Sequence, residues 1–199
     1  MPDSNIVKLT GIVLRKSSFK EADQFIDFFT EEQGKVTAIA KGVLRPQAKL
    51  RGYLEPNFIL SIELTARGKI PIVTALDSNQ SINLRNLEQI ETLSQIVLLI
   101  GKHTIHNYPQ AELWQSLSTI YRDFDLIELD LIRIFFKSQL LAQSGSLPRL
   151  DQTKLPQLLL SELVNLDSLN QIQTLNPESL TNLDHRFENW LDQLIIQLL

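Results

Sequence analysis

Through much of the first 80 residues, apolar positions recur every second residue in short runs separated by turn formers, the pattern of strands rather than helices. Leu9–Lys16 is rich in β-branched residues and stops at Ser17-Ser18, and Gln24–Thr30 is aromatic and stops at Glu31-Glu32-Gln33-Gly34. Lys35–Lys41 alternates so that Val36, Ala38 and Ala40 share one face while Lys35, Thr37, Ile39 and Lys41 share the other. Asn57–Leu64 turns Phe58, Leu60, Ile62 and Leu64 inward and Asn57, Ser61 and Glu63 outward. After the turn signal Ala66-Arg67-Gly68-Lys69, Ile70–Leu76 forms a fifth run, in which Pro71 fits only an edge or a strand beginning. Five short strands in succession predict a small closed barrel.

Beyond Ser78-Asn79-Gln80 the period lengthens to that of an α-helix. Leu84, Leu87, Ile90, Leu93, Val97 and Ile100 make one apolar stripe, and Leu113, Leu117, Ile120, Tyr121 and Phe124 make another. Ile127–Gln143 is apolar on more than one side, through Leu131, Ile132, Phe135, Phe136 and Leu140. That predicts a central place in a bundle, with Gly145 and Pro148 ending the helix. Leu155–Leu175 also has helical spacing. Asn176-Pro177 supplies an N-cap and a first-turn proline for a last helix through Leu183, Phe187, Leu191 and Leu198. The expected organisation is α+β, with a barrel over residues 1–80 and an all-α domain over residues 81–199.

Composition narrows the function classes. The 43% hydrophobic content is that of a globular chain, and the longest apolar run, Ile96–Ile100, falls far short of the roughly 20 residues of a membrane span. Met1-Pro2-Asp3-Ser4-Asn5 has no basic stretch leading into an apolar one, so a cytoplasmic location without membrane partners is expected. The absence of cysteine excludes disulfides and thiolate metal sites. The net charge of −4 is unevenly spread: residues 1–80 carry 11 Lys+Arg against 9 Asp+Glu, which leaves 8 against 14 for the rest. A polyanion would therefore meet the front half.

Enzymatic chemistry finds little footing. The chain has no glycine-rich phosphate loop and no nucleophile elbow. A nuclease would need clustered carboxylates for Mg²⁺, and Glu21, Asp23 and Asp27, the close acidic group near the basic surface, read better as turn and strand-edge residues. His103 and His106 could share a metal on one helical face, but no nearby acid completes a site, so no metal or cofactor is expected.

Several short strings carry a more specific signal. Thr10-Gly11-Ile12-Val13-Leu14-Arg15, then Glu21-Ala22-Asp23 before a hydrophobic strand, Gly34-Lys35-Val36 leading to Ala40-Lys41-Gly42, and Leu54-Glu55-Pro56 follow one another in a defined order and spacing. In that order and spacing the chain resembles the amino-terminal part of the RecO family of recombination mediators. Arg133-Ile134-Phe135-Phe136, Leu140-Leu141, Gly145 and Pro148-Arg149-Leu150-Asp151 are similar to the segment that precedes the family's zinc module. The chain departs from the family there: Gln152-Thr153-Lys154-Leu155-Pro156 stands where many members carry a Cys-x-x-Cys pair.

The resemblance implies an OB-fold barrel packed on a helical domain, binding to single- and double-stranded DNA, and annealing of complementary strands. It also implies help in loading RecA onto strands coated by single-strand-binding protein, with RecR as partner. No covalent chemistry is implied. A groove of the helical domain would receive the acidic tail of single-strand-binding protein, which places Arg133, Phe136, Lys137 and Leu140 as candidates. On spacing alone these residues read better as an ordinary helix with two solvated cations.

The basic residues of the front half point to nucleic acid independently. Arg15, Lys16 and Lys20 follow the first strand. Lys41, Arg45, Lys49 and Arg51 crowd a loop that contains no acid, and Arg67 and Lys69 flank a turn. OB barrels hold nucleic acid on the face of strands two and three and on nearby loops, with cations tracking phosphates and aromatics stacking on bases. Lys35 and Lys41 are expected to project from that face, with Tyr53 as the nearest stacking residue, whereas Phe25, Phe28 and Phe29 read as core. The competing reading is a protein-interaction scaffold whose barrel does not bind DNA.

Overall fold

The computed structural model describes residues 6–65, 68–145, 155–166, 171–172, 175, 182–183 and 185–196, with only the main chain for residues 155–158 and 185. The chain divides into two compact units, Met1–Ala111 and Glu112–Leu199. The first helix thus groups with the strands, although the period of the sequence changes near residue 80.

In the first unit β1 (Ile6–Ser18), β2 (Gln24–Thr30), β3 (Gly34–Ala40), β4 (Phe58–Thr65) and β5 (Ile72–Ser81) close into a barrel in the order β1-β2-β3-β5-β4. β1 closes it by serving two neighbours, β4 through Ile6–Gly11 and β2 through Gly11–Ser18. Gly11 sits where the two pairings meet. A Cβ there would stand 2.6 Å from the carbonyl oxygen of Phe29, so the strands can cross this closely only over a glycine. β5 begins after Pro71, as the ring requires, and runs on through Ser78–Gln80, which looked like a break in the sequence.

The expected alternation holds. Val36, Ala38 and Ala40 face the barrel core with Leu9, Val13, Ile26, Phe28, Leu60, Ile62 and Leu64, and Val43 and Leu54 of the β3–β4 connection join them. Removing such a side chain from water contributes about 1.5–3 kcal/mol. The three phenylalanines of β2 separate: Phe28 enters the core, Phe25 is half-buried, and Phe29 is buried without belonging to the barrel core. Phe29 lies across from Ile12 on β1, the strand that α1 (Leu87–His103) packs against. α1 starts at Asn86, whose side chain accepts from the Gln89 N–H, and buries Leu93, Ile96, Val97 and Ile100. Leu87 and Ile90, assigned to the same stripe by spacing, are 68% and 45% exposed.

The second unit contains α2 (Ala111–Asp123), α3 (Leu129–Gln143), α4 (Leu155–Val164) and α5 (His185–Ile196). α3 is central, as its all-round apolar pattern predicts: every residue from Ile134 to Leu141 is buried, and the helix packs on both α4 and α5. Gly145, with φ of 69°, follows its last turn in the left-handed conformation that suits glycine. Pro148, the Asn176-Pro177 cap and the stretch Gln152–Lys154 lie outside the described residues. No helix among the described residues is long and apolar enough to cross a membrane.

Candidate nucleic-acid interface

The β1–β2 turn and the β3–β4 connection are tied together. Asp23 accepts from the Gly42 N–H at 2.8 Å, and the Leu44 N–H donates to the Ala22 carbonyl at 3.1 Å. Val43 and Leu54 anchor the connection in the core, so the residues between them are held outward. Lys41, Arg45, Lys49 and Arg51 are all exposed, and among the described residues none of the four forms an ion pair. Lys41, Arg45 and Lys49 line one cleft of about 370 Å³ together with Gln47 and the main chain of Gly42. Cations held close together without acids create a positive field that an anion relieves, which is the chemistry of phosphate binding.

Beside them the turn carries an aromatic pair. The Phe19 and Phe25 rings lie 4.3 Å apart, and the Lys20 ammonium stands 5.2 Å from the centre of the Phe19 ring. Phe19 is 38% exposed. A partly exposed ring pair with a cation against it can stack on a base while the cation meets the strand's backbone. Sequence reading placed Phe25 in the core. The signal that could have separated it is parity, since Phe25, Asp27 and Phe29 alternate with the inward Ile26 and Phe28.

The outer face of the sheet is ordered in rows. Arg15, Asp27 and Thr37 face one another across β1, β2 and β3, and Ser17, Phe25, Ile39 and Ile72 form the next row. Arg15 is exposed within the first, and the Thr37 hydroxyl donates to Asp27.

Other expected residues have different work. The Lys35 ammonium donates to the Gly101 carbonyl at 2.9 Å, in the last turn of α1, where a cation also meets the negative end of the helix dipole. Its main chain pairs with Ile105–Asn107, so Lys35 joins strand to helix and does not stand with the loop cations. Lys16 pairs with Glu55 at 2.7 Å, and Lys69 is exposed in the β4–β5 turn. Tyr53 is half-buried against the barrel core, edge-on to Phe58 with ring centres 6.1 Å apart, so it is not an open stacking face. Arg67 lies outside the described residues.

The expected groove in the helical unit is filled by the protein itself. Phe136 and Leu140 are core, and the Lys137 ammonium is buried between Glu188 and Asp192, 2.7 Å from an oxygen of each. Arg133 binds Glu188 at 3.1 Å and also Asp130. Arg133 and Lys137 tie α3 to α5, and Phe136 and Leu140 are buried, so none of the four forms an open docking surface. Burial alone would raise the Glu188 carboxyl, but the hydrogen bond and charge of Lys137, joined by Arg133, outweigh it and hold the group below its ordinary value.

His103 and His106 do not share a helical face: His103 ends α1, and His106 bridges to β3. Burial, with Lys102 adding to it, lowers the His103 pKa.

The fold and its loops therefore define an α+β protein built on a five-stranded barrel that presents a basic loop beside an aromatic turn. Residues 4–99 match the family model "Recombination protein O N terminal". Over these residues the chain is similar to the RecO family. DNA repair protein RecO of Acaryochloris marina is 29% identical over 153 residues, covering 73% of this chain and 52% of that protein. The one from Heliobacterium modesticaldum is 29% identical over 160 residues, covering 73% and 54%. DNA repair protein RecO of Glaesserella parasuis is 38% identical over 64 residues, 32% of this chain and 27% of that protein. The chain thus matches about half the length, or less, of these relatives.

Proposed function

We propose that this chain is a DNA-repair protein that captures DNA on the basic loop and aromatic turn of an OB-type barrel, without covalent chemistry. The observation that carries this is the Lys41–Arg51 loop: four exposed cations with no acidic partner among the described residues, three of them lining one cleft. Phe19 and Phe25 would supply base stacking and the cations phosphate neutralisation, the two components of strand binding that is independent of sequence. The names of the relatives, DNA repair protein RecO, support the same reading.

Annealing of complementary strands, help in loading RecA onto strands coated by single-strand-binding protein, and partnership with RecR are the finer parts of this proposal. They rest on the similarity to the RecO family, and the four α3 residues are not carried forward as the docking site. The test is titration of fluorescent single-stranded DNA at two salt concentrations. Binding that weakens steeply as salt rises is expected, because neutralised phosphates release counterions. No binding at low salt would reject the reading and leave the barrel as an interaction scaffold.

A further inference from the structure

Among the described residues the β3–β5 closure of the barrel is the thinnest, with the single register pair Ile39–Ile72, and it lies beside the proposed strand-binding face. Odd-numbered residues of β3 turn their main-chain groups away from β2. The Lys35 N–H and C=O pair with Ile105 and Asn107, while the Ile39 N–H donates to Pro71. Thr37 lies midway between them, and by the same alternation its N–H and C=O point into the gap. Among the described residues no partner meets them there. Both flanking segments run parallel to β3, with His106 opposite Lys35 and Ile72 opposite Ile39. The His106 segment turns away at Asn107, with φ of 55°, and its Tyr108 carbonyl lies against Gly34, so it leaves the edge of β3 before Thr37.

The opening leads into a cleft of about 550 Å³. Val7, Val36 and Leu64 form its apolar lining, and Lys69, Ile70 and His106 stand exposed around it. This volume is typical of small-molecule sites, which combine apolar walls with a few fixed polar groups. A neighbouring N–H and C=O on one extended residue form a donor beside an acceptor. A planar heterocycle with an acceptor beside a donor matches that pair, and each unpaired nucleobase carries such an edge.

We infer that the β3–β5 seam is a base-binding site for single-stranded nucleic acid, in which one unpaired base enters the cleft and pairs with the main chain of Thr37. The inference deepens the proposed function and rests on it. Continuity supports it: Ile39, the cross-strand neighbour of Phe25, is two residues from Thr37 along β3, a rise of roughly 7 Å. A strand stacked on Phe19 and Phe25 thus has its next base near the seam, with Lys69 available to a phosphate. Because a main-chain donor and acceptor suit every base, the site would not select sequence. It would select single strands, since pairing in a duplex occupies the Watson–Crick edge.

The test compares the chain with an Ile70→Trp variant, which fills the cleft from an exposed position. Each is titrated with oligothymidylate, an abasic strand of the same length, and duplex DNA, and amide spectra of the unsubstituted chain are followed in parallel. The expected result is a loss of about tenfold in affinity for oligothymidylate, the size of one or two hydrogen bonds, with abasic and duplex affinities unchanged. The Thr37 amide resonance should move with oligothymidylate and stay in place with the abasic strand. Equal losses for all three ligands, no loss for any, or a stationary Thr37 amide while the DNA binds would overturn the seam and leave the loop reading intact. Absence of DNA binding by the unsubstituted chain would overturn both.

Discussion

The two units use the same residue types for opposite ends. On the barrel, Lys41, Arg45, Lys49 and Arg51 stand exposed with no acidic partner among the described residues, while on α3 Lys137 and Arg133 are enclosed by Glu188, Asp192 and Asp130. A cation's role is set by what faces it. An exposed group without a partner keeps its charge available to a ligand, whereas a buried one must be matched internally because desolvation is costly.

Enclosure on α3 predicts the largest effect. Lys137→Ala leaves Glu188 with less compensation inside the helical unit and should cost about 3–5 kcal/mol, read by chemical denaturation, while DNA affinity stays the same. A cost no greater than that of an exposed pair, roughly 1 kcal/mol or less, would place Lys137 with the solvated cations. The same network fixes a pH dependence. Glu188 titrates below its ordinary value of 4.5, so its contribution to stability is complete above that value and is lost as pH falls through the lower folded value. Acid unfolding of Lys137→Ala should therefore show a weaker dependence on pH in that window than unfolding of the parent chain.

Smaller effects sharpen the barrel side. Replacing both Phe19 and Phe25 with alanine should weaken single-strand binding by about 1–3 kcal/mol per stacked base and leave duplex binding nearly unchanged. Equal losses on both ligands would make the pair structural. Lys35→Met should lower stability by about 1 kcal/mol, through the hydrogen bond to Gly101, without altering DNA affinity. A fall in affinity at unchanged stability would return Lys35 to the binding surface.

The strands were legible because the barrel's inside and outside alternate along each one: Val36, Ala38 and Ala40 could be assigned to the core from spacing alone. The contacts a second layer makes were not legible. Phe29 is buried as its core reading expects, but Lys35, on the same outer face, is claimed by the α1 terminus, and nothing local in β3 encodes this. The helical unit repeats the point: Asp130 lies one turn from Arg133, but Glu188, which meets both Arg133 and Lys137, is about fifty residues away in α5. The exposure of the loop cations was legible in sequence because no acid lies within Lys41–Arg51, and in the fold the connection is anchored by Val43 and Leu54. Phe19 was missed because an aromatic in a turn has no periodic neighbours to mark which way it faces.

The most direct test of loop capture is the salt dependence of single-strand affinity for the parent chain and for Lys49→Glu/Arg51→Glu. Each phosphate that the protein no longer neutralises should reduce the slope of log affinity against log salt by about 0.7, so the double reversal should flatten it by roughly 1.4 or more, with a weaker affinity at low salt and unchanged thermal stability. Parallel slopes and equal affinities for the two proteins would contradict capture of DNA by the Lys41–Arg51 loop.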